Sequence, residues 1–142
     1  MRESDLYRGV DQFLPPGLHR QSMTGTVFNG TLDRYYDGPA GDAWVEYKQI
    51  AAWPRDKTFC VMPLSKKEQP RGHLTDKQLR WLERRWGFGR NAAVVFGLPD
   101  KTAMILDTPD LWRQHFHCTP TMNGVTREEV AKWLMSKVWI KS

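Results

Sequence analysis

Asp33, Glu46 and Lys48 are residue types suited to breaking phosphodiester bonds, and their spacing lets them meet. Asp33 is followed by 12 intervening residues and then by Glu46-Tyr47-Lys48. Two carboxylates can hold a hard divalent cation, Mg²⁺ or Mn²⁺, with waters and a substrate phosphate completing its shell. The cation neutralises charge on the scissile phosphate, and a nearby ammonium offsets charge that develops in the transition state. Lys48 could position or deprotonate the attacking water, or stabilise the transition state, and the residue type leaves these roles open. Asp37 and Asp42 are alternative ligands, placed less favourably in a stretch dense with turn-forming residues.

The elements around these residues decide whether they can converge. Residues 43–50 alternate, which puts Trp44, Glu46, Lys48 and Ile50 on one strand face and Val45, Tyr47 and Gln49 on the other. Glu46 and Lys48 then point together. The Tyr47 side chain points away, but its carbonyl can still serve as a metal ligand. Residues 31–36 form a second strand candidate, and the turn at 37–42 folds the two into a hairpin that carries Asp33 toward Glu46. Upstream, residues 3–14 have an amphipathic helical pattern through Leu6, Val10, Phe13 and Leu14, stopped by Pro15-Pro16-Gly17, and 18–23 form a strand. Downstream, 51–73 is an extended loop with a short strand at 59–62. A helix follows, capped by Thr75 with Gln78 and ended by Gly87, with Leu79, Leu82 and Trp86 as its apolar stripe. Strands at 92–97 and 102–106 lead to a last helix at 127–138, capped by Thr126 with Glu129. This order describes an α/β fold with a central sheet. The expected organisation is a single domain over residues 1–142.

A net charge of +5 is compatible with a polyanionic partner such as DNA. Lys66, Lys67, Arg71 and His73 cluster before the capped helix, and Arg80, Arg84 and Arg85 lie on it. With Arg20, Gln21 and Arg34 they form a candidate phosphate-tracking groove, while a solvated charged face explains some of the same residues. Cys60 and Cys118 are far apart and outside any metal-ligand spacing, which argues for two free thiols over a disulfide scaffold or zinc site. His115 and His117 are two apart but belong to no set of ligands with metal-site spacing, so they read as surface or partly packed imidazoles. No apolar run can span a bilayer, and the N-terminal residues lack a signal-peptide pattern, so a cytoplasmic location is expected.

The ordered set of motifs resembles the PD-(D/E)xK nuclease superfamily. Asn29-Gly30-Thr31-Leu32-Asp33 is similar to its Gly-x-Pro-Asp segment, with Leu32 where the family has proline, and Trp44-Val45-Glu46-Tyr47-Lys48 is similar to its Glu-x-Lys strand. Leu74 to Leu82 resembles the glutamine-bearing helix that follows, and Ala92 to Phe96 the next strand. Within the superfamily the chain looks most like the virus-type replication-repair nuclease (VRR-NUC) group and phage Holliday-junction-resolvase-like proteins. The resemblance covers residues 3–106. It implies a restriction-endonuclease-like mixed central sheet flanked by helices, and Mg²⁺- or Mn²⁺-dependent cleavage of DNA with a preference for branched forms. It also implies a homodimer and a role in phage recombination or repair. Gln78 would hold a phosphate, the metal-bound water or the lysine, and an acid on the first helix (Glu3, Asp5 or Asp11) could join the site. A non-catalytic DNA-binding or protein-interaction module on the same fold is the alternative, but such a module has no need for the acids and the lysine together.

Overall fold

The computed structural model describes residues 3–22, 34–64 and 72–140. Along the chain run α1 (Glu3–Asp11), β1 (His19–Ser22), β2 (Arg34–Gly38), β3 (Gly41–Gln49) and β4 (Thr58–Phe59). Then come α2 (Asp76–Gly87), β5 (Asn91–Gly97), β6 (Ala103–Leu106), α3 (Pro109–Arg113), β7 (Phe116–His117) and α4 (Arg127–Val138). Among the described residues, five strands form one mixed sheet in the order β1-β2-β3-β5-β6, and β4 pairs with β7 in a separate ribbon. The middle strand, β3, is antiparallel to β2 and parallel to β5. A parallel pair needs a crossover, and the segment carrying α2 supplies it.

Each sheet face packs against its own core. On one face α1 and α4 enclose Val45, Tyr47 and Val95. On the other, Leu79 and Leu82 of α2, Trp112 of α3 and the β4–β7 ribbon pack with Val94 and Phe96. The alternation in β3 follows this division: Val45 and Tyr47 enter the first core, while Trp44 and Ile50 join the second. Because β5 is covered on both sides, Ala92 to Gly97 are buried without a break.

Both capping boxes form as the sequence predicts, at Thr75/Gln78 and Thr126/Glu129. Other boundaries differ. α1 ends at Asp11, which leaves Phe13 exposed. The hairpin strands continue through Asp37 and Asp42, so only Pro39 and Ala40 remain as the turn. Ala40 N–H donates to the Val138 carbonyl at 2.9 Å, which docks the turn on the end of α4. Trp86 is 45 % exposed rather than part of an inner stripe, because α2 directs Gln78, Leu79 and Leu82 toward the sheet. The ribbon strand begins at Thr58, earlier than 59–62, since its register is set by pairing Thr58 with His117 and Phe59 with Phe116. Residue 23 of the first strand candidate and residues 31–33 of the second lie outside the described residues.

Candidate active site

Glu46 and Lys48 are adjacent on the middle strand and face α2. Lys48 Nζ lies 3.2 Å from Glu46 Oε1. The carboxylate is 0 % exposed and the lysine 8 %. Burying an ion pair costs roughly several kcal/mol per ion unless further polar contacts compensate, and α2 provides one. Gln78 Nε2 donates to the same Glu46 oxygen at 3.0 Å. The other end of that amide is also committed: Gln78 Oε1 accepts from Thr75 N–H at 2.9 Å, and Gln78 N–H donates to Thr75 Oγ1 at 3.1 Å. Capping glutamine and site glutamine are therefore one residue. The helix cap holds the amide in the orientation that presents Nε2 to Glu46.

Asp33, the second expected carboxylate, lies outside the described residues. Its chain neighbour Arg34 is the Cα partner of Val45, and Val45 precedes Glu46. Among the described residues, no group of three or more His, Cys, Asp or Glu is arranged to hold a metal. Glu46 offers the hard oxygen that Mg²⁺ prefers, and Mg²⁺ sites commonly take only one or two protein carboxylates. Of the alternative ligands, Asp37 is exposed, and Asp42 pairs with Arg90 at 3.6 Å and accepts from Tyr35 Oη at 3.3 Å.

The opposite sheet face carries a different polar group. Tyr47 Oη and Tyr36 Oη are 2.6 Å apart, and Tyr36 Oη donates to Asp11 Oδ1 at 2.9 Å. Arg34 pairs with Asp11 and lies over the Tyr7 ring, 4.5 Å from its centroid. Burial, then the neighbouring Tyr47 and Asp11, hold the Tyr36 hydroxyl well above its ordinary value of 10. Desolvation tends to lower the Arg34 value, but bonding and charge from Asp11 prevail and raise it. This placement corrects one expectation, that Arg34 extends the groove beside Glu46; of the first-helix acids left open by the sequence, Asp11 meets Arg34 and Tyr36 on this face. Arg34 is opposite Val45 in the ladder and shares its face, away from Glu46.

Arg20 is also a structural residue. Its guanidinium donates to the carbonyls of Pro15 at 2.7 Å, Asp11 at 3.0 Å and Leu18 at 3.4 Å, which ties α1 to β1. Gln21 is exposed on β1, opposite Tyr35. Arg80 and Arg84 are exposed on α2. Lys66, Lys67 and Arg71 lie outside the described residues. Arg85, which the groove reading had only grouped with its neighbours, lies over Trp44 at 4.7 Å and Trp81 at 4.4 Å from the ring centroids. The spacing of Trp81 and Arg85, one helical turn apart, carried that signal.

With this geometry established, a solved structure gives a comparison. Hjc, a Holliday junction resolvase from the archaeal hyperthermophile Archaeoglobus fulgidus, matches with a TM-score of 0.51 at 16 % sequence identity. The match covers 93 % of this chain and 97 % of that one. The fold is shared with that resolvase. The mixed central sheet flanked by helices, expected from the sequence, is thus the architecture observed. Neither a family model nor a curated protein sequence matches the chain. At this identity the likeness concerns the fold alone.

Proposed function

We propose that this protein is a divalent-metal-dependent DNA endonuclease acting on branched DNA. The observation that carries the reading is the convergence of Lys48 Nζ and Gln78 Nε2 on one buried oxygen of Glu46, at 3.2 and 3.0 Å. An isolated strand lysine and glutamate would lie at the surface, whereas these are covered on the middle strand of a nuclease-type sheet. Glu46, Asp33 and the Tyr47 carbonyl would hold Mg²⁺ or Mn²⁺, which when bound neutralises charge on the phosphate. Gln78 keeps the Glu46 carboxylate in one orientation. Lys48 Nζ is placed to orient water or to shield negative charge as the water oxygen bonds to phosphorus and the leaving sugar oxygen departs. The shared fold supports DNA as substrate and a branched form as preferred, because the matched protein is a Holliday junction resolvase. A single nuclease domain, a homodimer that offers two sites to two strands, a cytoplasmic location and a role in phage recombination or repair within the VRR-NUC group are part of the same proposal. They rest on the motif order from Asp33 to the Gln78 helix and on composition.

The test is cleavage of a four-way junction and of plasmid DNA in Mg²⁺, Mn²⁺ or EDTA. We expect cutting with metal and none in EDTA, and a loss of about 100-fold or more in Glu46→Gln and Lys48→Ala, the scale of removing a transition-state contact. Variants that cut as well as the parent protein would show that the site lies elsewhere.

A further inference from the structure

We propose that Tyr35, Trp44, Trp81 and Arg85 form a holder for unpaired nucleotides beside the Glu46–Lys48 site, and that this holder favours DNA with single-stranded stretches over continuous duplex. The assignment of these nucleotides as neighbours of a scissile phosphate rests on the nuclease reading, but the binding itself does not. Three rings form a row across β2, β3 and α2. Tyr35 and Trp44 have centroids 4.4 Å apart at 45°, and Trp44 and Trp81 are 5.9 Å apart at 67°. His19 extends the row, 6.4 Å from Tyr35. Tyr35 pairs with Trp44 across the ladder, and Trp44 is two residues before Glu46. The row therefore lies on the same sheet face as the carboxylate, about 7 Å along the strand from it.

A purely structural cluster would be covered and satisfied. This one is only half-buried at Tyr35, Trp44, Trp81 and Arg85, and His19 and Gln21 beside it are exposed. Two of its donors also lack acceptors: the Arg85 Nε and Trp81 Nε1 atoms are buried with no hydrogen-bond partner among the described residues, whereas Tyr35 Oη donates to Asp42. Nor does Arg85 have a carboxylate within ion-pair distance among those residues, although Arg34, Arg90 and Arg113 each do. A guanidinium lying over two neighbouring indoles and left without a carboxylate is complementary to a phosphate. Exposed Lys77, Arg80 and Arg84 follow the same helix at turn spacing and extend the positive edge. Asp37 and Asp42 lie on the Tyr35 side, so the strand would run along α2 rather than toward the hairpin. Duplex keeps its bases stacked inside, and only unpaired bases can offer a ring face to Tyr35 or Trp44.

Binding in EDTA separates this proposal from cleavage. Fluorescence anisotropy would compare labelled oligo(dT) with a duplex of equal length. Tyr35→Ala should weaken oligo(dT) binding about 10-fold, the scale of one stacked base, and duplex binding less than about 2-fold. Arg85→Gln, which removes a phosphate contact beside the rings, should weaken oligo(dT) binding several-fold more than duplex binding (about 3-fold or more). Tyr35→Phe, which keeps the ring, should bind as the parent does. Circular dichroism confirms folding, and should Tyr35→Ala be unfolded, Arg85→Gln decides alone. Equal weakening on both DNAs, or no weakening on oligo(dT), overturns the holder. If the parent protein binds oligo(dT) through these residues but cuts nothing in Mg²⁺ or Mn²⁺, the nuclease reading fails and the holder stands. Cleavage with no effect of these variants on binding gives the reverse.

Discussion

The Gln78 amide divides its two ends between the cap of α2 and the Glu46 carboxylate, and substitution can separate them. Glutamate at this position keeps an acceptor for Thr75 N–H, as in the common capping box, but places a second carboxylate beside Glu46. Two carboxylates that share a site raise one proton affinity. A carboxyl value raised above its unfolded value penalises the folded state when ionised, and acid removes the penalty. Gln78→Glu should therefore be less stable than the parent at pH 8 and recover relative to it toward pH 5, read by urea unfolding. Gln78→Ala loses both contacts and should be weaker by about 2–3 kcal/mol at either pH. A Gln78→Glu midpoint equal to the parent's at pH 8 would show that the bond to Glu46 contributes nothing. Metal binding has its own readout at this scale. A cation that binds only the folded protein stabilises it by about 2.7 kcal/mol at 100 times its dissociation constant. Mn²⁺ should thus raise the melting temperature of the parent protein and leave that of Glu46→Gln nearly unchanged.

At the scale of elements, strong local signals were legible in the sequence and tertiary pairings were not. The alternation in β3 placed Glu46 and Lys48 together, and the two capping boxes fixed the starts of α2 and α4, because each depends on residues a few positions apart. The β4–β7 ribbon joins Phe59 to Phe116 across more than 50 residues, and no local pattern announces such a pair. Helix α3 had a signal that was easy to pass over, Thr108 as cap followed by Pro109 in the first turn. Arg34 and Arg20 looked like phosphate contacts, since an arginine's type does not disclose which side of a sheet it reaches or which carbonyls it meets. Gly38 shows how closely the hairpin docks. A Cβ there would overlap the Val138 carbonyl oxygen, which also accepts from Ala40 N–H. Because the obstacle is helix backbone, Gly38→Ala should cost about 1–3 kcal/mol. Gly87→Ala, with nothing within 4 Å of the added carbon, is the control and should lose far less in the same unfolding assay.

For the molecule as a whole, the sheet separates two cores, and each holds a group that resists losing its proton. Tyr36 lies in the α1–α4 core, its hydroxyl held well above 10 by burial and by Tyr47 and Asp11. Cys118 lies in the other core, where burial raises its thiol from 9 to about 11. In both cases the folded value exceeds the unfolded one. Each group then contributes stability that is fully present below its unfolded value and is lost as pH rises through the folded value. For the thiol this window runs from about 9 to about 11, and for the phenol it opens near 10 and extends upward. Stability should be flat with respect to these two groups near neutral pH and fall from pH 9 upward. Urea midpoints between pH 7 and 11 would measure the fall. Cys118→Ala should flatten its early part and Tyr36→Phe its later part. Because the two lie on opposite sides of the sheet and share no contact, the double variant should show the sum of the two changes within about 0.5 kcal/mol. A slope that survives in the double variant would mean that other groups govern alkaline unfolding.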